Sequence, residues 1–401
     1  MMRPPAPAAF LLLAVTLPAQ PPHFRQVTIP TGPSPRAIVV ADVNHDGHPD
    51  ILVTNEGSDQ TDSGTITVLL GDGRGAFRQA AGSPFPAGHL PNDIAIADMN
   101  HDGNLDLVVA NHQSPYLRVF LGDGRGGFHL APGSPIDVHS TPHPHGVVVA
   151  DFNSDGNPDA VTDSWGHNQI ELLLGDGAGG LRTPGTFFAT GRRPYERLRT
   201  ADFNHDGIPD IVTTNLDDDT VSILLGDGHG NLHNAPGSPI PAGAKPWQLA
   251  IDDLNGDGNA DLVVIPYQRD IRGPSENAVT ILLGNGHGSF QPMPGSPLPL
   301  GDLPGVPSDR SSSQGSSCQG PNSVAAGDLS GHGAHAIAVA CAESRTLRLY
   351  QPAANGQYTA SSMPIAGGWG SVAIARLTAG PRGALITANA DAGSITIYFQ
   401  E

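Results

Sequence analysis

The sequence predicts an all-β protein, a seven-bladed β-propeller with four-stranded blades whose last blade is closed by the N-terminal strand. Three observations lead to this fold class. A nine-residue acidic motif recurs every 51 to 56 residues, short apolar runs alternate with turns, and the 51 glycines and 38 prolines are spread along all 401 residues. Helix-length amphipathic windows are missing, and many short strands at a regular spacing are typical of propellers.

The first twenty residues are predicted to be a secretory signal peptide. They contain one arginine, an apolar core from Ala8 to Leu17 and a small residue at Ala19, as signal peptides do. The alternative, a transmembrane anchor, is disfavoured because the apolar run is too short to span a bilayer. We therefore expect residues 1–20 to be removed and residues 21–401 to form one domain, secreted to an extracellular or periplasmic location and without a membrane span.

Seven repeats follow this segment. Five of them contain the motif D-x-N-x-D-G-x-x-D, which begins at Asp42, Asp98, Asp151, Asp202 and Asp253. Two degenerate copies begin at Asp328 and Arg376, and the step to Asp328 is 75 residues because an insertion occupies about residues 302–320 before the sixth blade. A solenoid would share the fixed period, but it would need atypical capping repeats.

Each repeat has the sequence pattern of four strands. An apolar strand leads into the acidic motif, a second strand leaves it, a third ends at a turn of the GDGxG type, and a short fourth follows. The N-terminal segment HFRQVTIPTG is similar to a fourth strand, whereas the C-terminal SITIYFQE stops just after a third. We therefore predict that residues near Phe24 to Ile29 complete the blade that holds Ile395 to Phe399, which leaves no open sheet edge.

The acidic motif predicts a calcium-binding loop. Calcium takes six to eight oxygen ligands. The motif supplies side-chain oxygens at positions 1, 3, 5 and 9, a backbone carbonyl at position 7, and a glycine for the sharp turn at position 6. An EF-hand would need flanking helices, magnesium prefers a stricter octahedron, and a single loop of this kind could be an Asx-rich turn that binds no metal. Five copies favour calcium.

The predicted ligands are those at positions 1, 3, 5, 7 and 9 of the five complete loops. They are Asp42, Asn44, Asp46, His48 and Asp50; Asp98, Asn100, Asp102, Asn104 and Asp106; Asp151, Asn153, Asp155, Asn157 and Asp159; Asp202, Asn204, Asp206, Ile208 and Asp210; and Asp253, Asn255, Asp257, Asn259 and Asp261. In the last two loops His332, Ala336 and Arg376 replace carboxylates, so we predict about five structural Ca²⁺ ions.

The net charge of the chain excludes one class of partner. The formal net charge is −19, and five Ca²⁺ ions would change it to −9. A chain with this large a negative charge is not expected to bind nucleic acid, because phosphates require a basic surface.

The two cysteines lie in one repeat. Cys318 and Cys341 are the only cysteines, and in an oxidising compartment we predict a disulfide between them.

These repeats resemble the FG-GAP/VCBS family, the calcium-loop propeller units of integrin α-chain heads and of many secreted bacterial proteins. The resemblance covers roughly residues 22–401 and is carried by the five acidic loops. It implies that the acidic loops lie on the lower face of the propeller and that ligands meet the upper face. It also implies adhesion or recognition, although such repeats occur attached to enzymes, so the resemblance defines the fold more firmly than the function.

The upper face holds the candidate ligand-binding residues. Six positions before each acidic motif lie the residues that we call rim residues, because they should ring the mouth of the central channel: Arg36, Asn92, His145, Glu196, Trp247, Asn322 and Gly370. We predict ligand contacts from Arg36, Asn92, His145, Trp165, Glu196, Trp247 and Trp369, since aromatic faces beside polar groups suit sugar rings. The alternative is that these aromatic side chains only pack over the channel and loops.

Neither the histidines nor the glycine-rich motifs of the sequence give strong evidence for a transition-metal site or for catalysis. His45, His101 and His205 occupy position 4 of their loops, where we expect the side chain to point to solvent. His139, His143 and His145 could bind a transition metal, but their spacing matches no regular ligand pattern. We predict no catalytic residues, because the two G-x-G-x-x-G matches open into strands rather than helices.

The leading functional prediction is a non-enzymatic, monomeric recognition or adhesion module that binds a glycan or an extracellular protein. The alternatives are a polysaccharide-acting enzyme, either a lyase or a glycosidase, and a purely structural surface scaffold. Converging Tyr, His, Arg or carboxylate side chains in one upper cleft would indicate an enzyme. Aromatic residues spread over several equivalent blade positions would indicate a lectin-like binder.

Overall fold

The structure, a computed structural model, describes residues 23–58, 61–267, 276–302, 318–353 and 356–401, apart from the side chain of Glu196. The predicted signal peptide lies outside the described residues, as does most of the predicted insertion, residues 303–317.

Seven antiparallel sheets form the blades, which confirms the predicted all-β, seven-bladed propeller. Blade 1 contains β2 (Pro35–Ala41), β3 (Asp50–Asn55), β4 (Gly64–Gly71), β5 (Phe77–Gln79) and the short β6 (Phe85–Gly88). Blade 2 contains β7 (Pro91–Ala97), β8 (Asp106–Asn111), β9 (Tyr116–Gly122), β10 (Phe128–Leu130) and the short β11 (Ile136–Asp137). Blade 3 contains β12 (Val147–Ala150), β13 (Asp159–Ser164), β14 (Gln169–Leu173) and β15 (Thr186–Ala189).

The remaining blades repeat this order. Blade 4 contains β16 (Pro194–Ala201), β17 (Asp210–Asn215), β18 (Thr220–Gly226), β19 (Leu232–Asn234) and the short β20 (Ile240–Pro241). Blade 5 contains β21 (Pro246–Asp252), β22 (Asp261–Pro266), β23 (Ala278–Gly284), β24 (Phe290–Pro292) and the short β25 (Leu298–Pro299). Blade 6 contains β26 (Pro321–Asp328), β27 (His335–Cys341), β28 (Thr346–Pro352) and β29 (Tyr358–Pro364). Blade 7 contains β30 (Val372–Ala375), β31 (Ala384–Asn389), β32 (Ser394–Gln400) and β1 (Phe24–Pro30).

Helical structure is confined to two 3₁₀ turns, Trp165–His167 and Ala390–Ala392, within the described ranges. Across those same ranges, no helix has the length and apolar character that crossing a membrane requires.

The core lies between neighbouring blades rather than inside any one of them. Leu52 and Val68 of blade 1, for example, belong to one buried cluster with Leu107 and Val109 of blade 2. The second strands β3, β8, β17 and β22 are buried along their whole length. This burial on both faces explains why these strands read as short continuous apolar runs rather than as alternating ones.

The N-terminal strand closes the ring, as predicted from the two ends of the sequence. β1 pairs antiparallel with β32 over seven residues, from Phe24 opposite Gln400 to Pro30 opposite Ser394. Ile29 of β1 packs against the apolar cluster shared by blades 7 and 1. The ladder therefore joins the first and last parts of the described chain. β1 is the outermost strand of blade 7 and lies at the edge of its sheet, so the strand closes the ring but the expected absence of an open sheet edge is wrong.

A disulfide links the segment that precedes blade 6 to the second strand of that blade. Cys318 is bonded to Cys341, the last residue of β27, and both are fully buried. The Cys318 backbone N–H also donates a hydrogen bond to the Leu300 carbonyl at 2.8 Å. The predicted bridge is thus present, and with Leu300 it fixes both ends of the predicted insertion.

A chain that begins at residue 31 should lose the closing strand and with it much of its stability. Seven ladder positions disappear, and an ordinary domain has only about 5–15 kcal/mol of net stability to lose. We expect a lower and broader thermal transition by circular dichroism. A chain that begins at residue 23 is the matched control and should melt like the mature protein. Coincident melting curves for the two chains would contradict the closure.

Candidate functional site

The acidic loops of blades 1 to 5 connect the first strand of each blade to the second. We call the end of the propeller that carries them the lower face and the opposite end the upper face. In the blade 1 loop, His45 and Gly47 have left-handed backbone angles, with φ of 59° and 80°. A Cβ on Gly47 would meet no atom within 4 Å, so backbone conformation, rather than crowding, accounts for glycine at position 6.

Side-chain oxygens at positions 1, 3 and 5 accept backbone hydrogen bonds from within the loop. In blade 1, Asp42 Oδ2 accepts from the Gly47 N–H at 2.9 Å, and Asn44 Oδ1 accepts from the Asp46 N–H at 2.9 Å. Asp46 Oδ1 accepts from the His48 N–H, also at 2.9 Å. The same bonds recur in the other four loops, at 2.8 to 3.1 Å.

The aspartate at position 9 anchors each loop to the blade. Asp159, for example, is fully buried, and it accepts hydrogen bonds from the N–H groups of Phe152 at 2.9 Å and Gly175 at 2.8 Å. Burial, with a smaller contribution from the carboxylates at positions 5 and 1 of the same loops, raises the pKa of Asp159, Asp210 and Asp261 to about 6. Like charges that oppose ionisation in this way favour a bound cation.

The donor set of these five loops fits a hard cation. Every predicted side-chain ligand is a carboxylate or an amide oxygen, and Ca²⁺ prefers such oxygens. The sixth loop keeps the turn, since Asp328 accepts hydrogen bonds from Gly331 and Gly333 at 2.8 and 2.7 Å. However, its position 9 is the buried Ala336, and the seventh loop begins with Arg376, so neither offers the full set.

Neighbouring acidic loops contact each other, which adds to one expectation from the sequence. The position-4 histidines are exposed, as expected, but each also reaches the position-7 asparagine of the next blade, which was not expected. The Nε2···Oδ1 distances are 3.1 Å for His45 and Asn104, 2.8 Å for His101 and Asn157, and 2.8 Å for His205 and Asn259. A repeat pattern does not show which loops are neighbours in space, so this contact could not be read from the spacing.

Several rim residues bond to one another around the channel mouth. Arg36 Nε donates to Asn92 Oδ1 at 3.0 Å, and Asn92 Nδ2 donates to the His145 carbonyl at 2.8 Å. Arg36 Nη1 donates to the carbonyl of Trp369 at 3.2 Å, and Asn322 Nδ2 donates to that of Gly370 at 2.8 Å. Asn92 and His145 are therefore buried, which leaves them little surface for a ligand.

Aromatic side chains form a continuous row over blades 3, 4 and 5, which we call the aromatic row: Trp165, Tyr195, Trp247 and Tyr267. Successive ring centroids lie 5.1, 5.1 and 4.3 Å apart. Trp165, Tyr195 and Tyr267 are partly exposed, whereas Trp247 is only 4% exposed. The structure thus brings two of the three tryptophans together, while Trp369 lies at the start of blade 7.

Three histidines meet at the end of this row, and we call them the histidine cluster: His112, His143 and His145. Their ring centroids lie 4.7 to 4.8 Å apart, and the His145 ring lies 4.2 Å from that of Tyr195. Burial, together with the neighbouring His145, lowers the pKa of His143 to about 4, so its imidazole is neutral at neutral pH.

The third member of the cluster was missed by the sequence-based prediction. His112 follows the second strand of blade 2, and it joins His143 and His145 where the sequence analysis had considered His139 as the third histidine. His139 is instead exposed, with Nδ1 3.5 Å from Thr183 Oγ1. The signal that could have found His112 is topological, because the loop after a second strand adjoins the start of the next blade.

Comparison with protein families supports the resemblance that the acidic loops suggested. A family model described as FG-GAP-like repeat matches residues 58–109, 100–162 and 202–264, and one described as FG-GAP repeat matches residues 34–69. The chain contains FG-GAP repeats. All five complete acidic loops lie inside the matched ranges. No curated protein matches the chain.

Solved structures similar to this FG-GAP protein have little sequence in common with it. A functionally unknown protein from Desulfotomaculum acetoxidans is 12% identical, with a TM-score of 0.53 over 86% of this chain and 99% of its own. A periplasmic gluconolactonase from Pseudomonas aeruginosa is 19% identical, with a TM-score of 0.54 over 82% and 85%. A catalytically inactive virginiamycin B lyase variant from Staphylococcus aureus is 13% identical, with a TM-score of 0.51 over 94% and 100%. These similarities show the fold alone.

The first strands of all seven blades of this FG-GAP propeller line a central channel of about 350 Å³. Arg197 of blade 4 forms a buried ion pair with Asp93 of blade 2 across it, and Arg199 Nη1 lies 3.9 Å from Asp93 Oδ2. Partial loss of hydration inside the channel lowers the pKa of Arg199, whose side chain is 35% exposed, to about 10, so its guanidinium stays charged at neutral pH. The two guanidinium groups, of Arg197 and Arg199, therefore share the carboxylate of Asp93 in the channel.

Arg197→Met should destabilise the propeller by about 3 kcal/mol, because it leaves the buried Asp93 without its close partner. Urea unfolding at constant millimolar calcium measures the change. Arg345→Met is the matched control: its ion pair with Asp391 is exposed, at 60% and 53%, and such pairs contribute little. Equal effects of the two substitutions would show that the channel pair has no special role in stability.

Proposed function

We propose that this FG-GAP protein is a secreted, calcium-stabilised recognition module that binds a glycan at the upper face. The single observation that carries the proposal is the aromatic row, whose four rings continue from blade 3 to blade 5 with centroid spacings of 4.3 to 5.1 Å. Flat apolar rings beside polar groups complement sugars, which present C–H surfaces and hydroxyls together.

Polar groups lie directly beside these rings. The Arg193 guanidinium lies 5.6 Å from the centroid of Trp165 and 5.0 Å from that of Tyr195. The indole nitrogens of Trp165 and Trp247 are buried and have no hydrogen-bond partner among the described residues. A ligand oxygen or a bound water would satisfy such donors, which supports a polar ligand rather than a purely apolar one.

Calcium is proposed as the structural cofactor of the lower face. The support is the all-oxygen donor set, the buried position-9 carboxylates and the formal charge of −19. At extracellular affinities of about 10⁻⁴–10⁻³ M, millimolar calcium adds roughly 0.4–1.4 kcal/mol per site. Five sites together would contribute about 2–7 kcal/mol, which is comparable with the net stability of a domain.

Removing calcium should lower the melting temperature substantially. Asp155→Asn should reproduce part of that loss in calcium and have almost no effect in EDTA, because Asp155 is exposed and makes its main contribution through the metal. Asp176→Asn, at the exposed turn after the third strand of the same blade, is the control and should behave alike in both conditions. A melting curve that EDTA leaves unchanged would refute structural calcium.

The recognition proposal is tested by retention on a panel of insoluble and immobilised polysaccharides in millimolar calcium. We expect retention on at least one of them and about a tenfold weaker apparent affinity for Trp165→Ala, as for loss of a contact worth about 1.4 kcal/mol. Phe187→Ala removes an aromatic side chain that is 37% exposed on β15, and it should bind normally. Equal binding by both variants, or no retention on any polysaccharide, would contradict the proposal.

A polysaccharide-acting enzyme is the second candidate. His143, Tyr195 and Arg193 lie around Trp165 in one part of the upper face, and such convergence of imidazole, phenol and guanidinium groups is the arrangement expected of an enzyme. The same tubes are therefore assayed for reducing ends and for unsaturated products. Product release would replace the recognition proposal with this one, whereas neither retention nor product would favour a protein partner or a scaffold.

A further inference from the structure

Three imidazoles from two blades converge on the upper face. His112 follows β8 of blade 2, and His143 and His145 precede β12 of blade 3. Their potential ligand nitrogens all lie within 4.8 Å of one another. In a tetrahedral zinc site with bonds of 2.0–2.1 Å, ligand nitrogens lie about 3.3 Å apart, so modest side-chain rotations would bring the three into range of one ion.

Two of these nitrogens are buried without a partner. His145 Nε2 and His143 Nε2 find no hydrogen-bond partner among the described residues, and His145 is completely buried. A buried polar atom that gives up its contacts with water and makes no new one costs free energy. A metal ion placed between the rings would supply the missing interaction for both nitrogens at once.

A buried carboxylate orients the third imidazole. His145 Nδ1 lies 3.2 Å from Asp163 Oδ2, and Asp163 Oδ1 accepts hydrogen bonds from the backbone N–H groups of His145 and Gly146 at 2.8 and 2.7 Å. With Nδ1 donating to Asp163, the lone pair of His145 is on Nε2. Metal-binding histidines typically have this outer carboxylate, which sets both the tautomer and the ring orientation.

We propose that His112, His143 and His145 form a binding site for one divalent transition-metal ion, with Zn²⁺ as the expected ion. Three imidazoles suit zinc and its neighbours in the first transition row, whereas calcium requires oxygen ligands. The site is therefore chemically distinct from the acidic loops and lies on the opposite face. Three protein ligands leave one coordination position for water or another ligand.

The histidine cluster adjoins the surface already proposed to bind glycans. The Trp165 ring lies 5.8 Å from that of His143 and 5.7 Å from that of His145. A hydroxyl or carboxylate of a saccharide on the aromatic row could therefore coordinate the ion. This last step rests on the proposed recognition function, whereas the metal site itself does not.

The test uses the mature protein without a histidine tag, stripped with EDTA and returned to millimolar calcium. Zn²⁺ alone is then titrated by equilibrium dialysis with elemental analysis. We expect about one tightly bound Zn²⁺ per chain, and Co²⁺ in its place should give the visible absorption of a nitrogen-ligated, low-coordinate ion. The double variant His112→Gln/His143→Gln should bind at least about 100-fold more weakly.

The matched control is His167→Gln, since His167 is an exposed histidine on the same face, outside the cluster, and its loss should leave zinc binding unchanged. Melting curves in calcium establish that each variant is folded. The proposal is overturned if calcium-loaded protein binds no Zn²⁺ tightly, or if the folded double variant binds it as well as the parent. Should the double variant not fold, a wild-type Co²⁺ spectrum without nitrogen ligation decides against the site. Because no saccharide is present, the outcome is independent of the recognition proposal.

Discussion

Among the described residues, each apolar cluster is shared between two neighbouring blades rather than confined to one, so the packing of every blade depends on closure of the ring. Ile51 and Val53 of blade 1 lie in one cluster with Ile386 and Ile397 of blade 7, next to the point where β1 pairs with β32. Because hydrophobic stabilisation scales with the apolar area removed from water, each blade gains its share only when both neighbours are in place. Several loops on the two faces share this dependence, since they contact the adjacent blade, as His45 contacts Asn104 on the lower face and Arg36 contacts Asn92 on the upper face.

The antiparallel order of strands sends two kinds of loop to two faces, and the faces differ in chemistry. The lower face repeats itself: in blades 1 to 5 a buried aspartate accepts a hydrogen bond from a glycine at the end of the third strand or, in blade 3, two residues after it. The upper face does not repeat. Histidines occupy blades 2 and 3, the aromatic row occupies blades 3 to 5, and Arg36 and Asn92 bond to each other at blades 1 and 2. A repeated feature is explained by what every blade needs, whereas a feature confined to some blades needs an explanation of its own.

Sequence reasoning succeeded where the information is local and failed where a neighbouring blade decides. The period, the acidic loops, the closing strand and the pairing of Cys318 with Cys341 are all visible in short stretches of chain, and the structure contains the loops, the closure and the bridge. His112 was missed because no motif links it to His143, and the two meet only where blade 2 adjoins blade 3. The burial of Asn92 was missed for the same reason, since Arg36 and the His145 carbonyl, which cover it, belong to the blades on either side.

The strongest departure from repetition lies inside blade 3. Four positions after the buried aspartate that ends each acidic motif, blades 1, 2, 4 and 5 have Thr54, Ala110, Thr214 and Ile265, whereas blade 3 has Asp163. The fold therefore does not need a carboxylate there, and burying one is costly unless it is paired and hydrogen-bonded. Asp163 is 1% exposed. Its carboxylate accepts hydrogen bonds from the backbone N–H groups of His145 and Gly146 and lies within hydrogen-bond distance of the His145 imidazole. His145 likewise occupies the position at which the other blades have arginine, asparagine, glutamate, tryptophan or glycine. A buried acid and a buried imidazole that the scaffold can do without lie beside two further histidines and an aromatic row. The proposed metal site explains this arrangement more simply than the stability of the blade does.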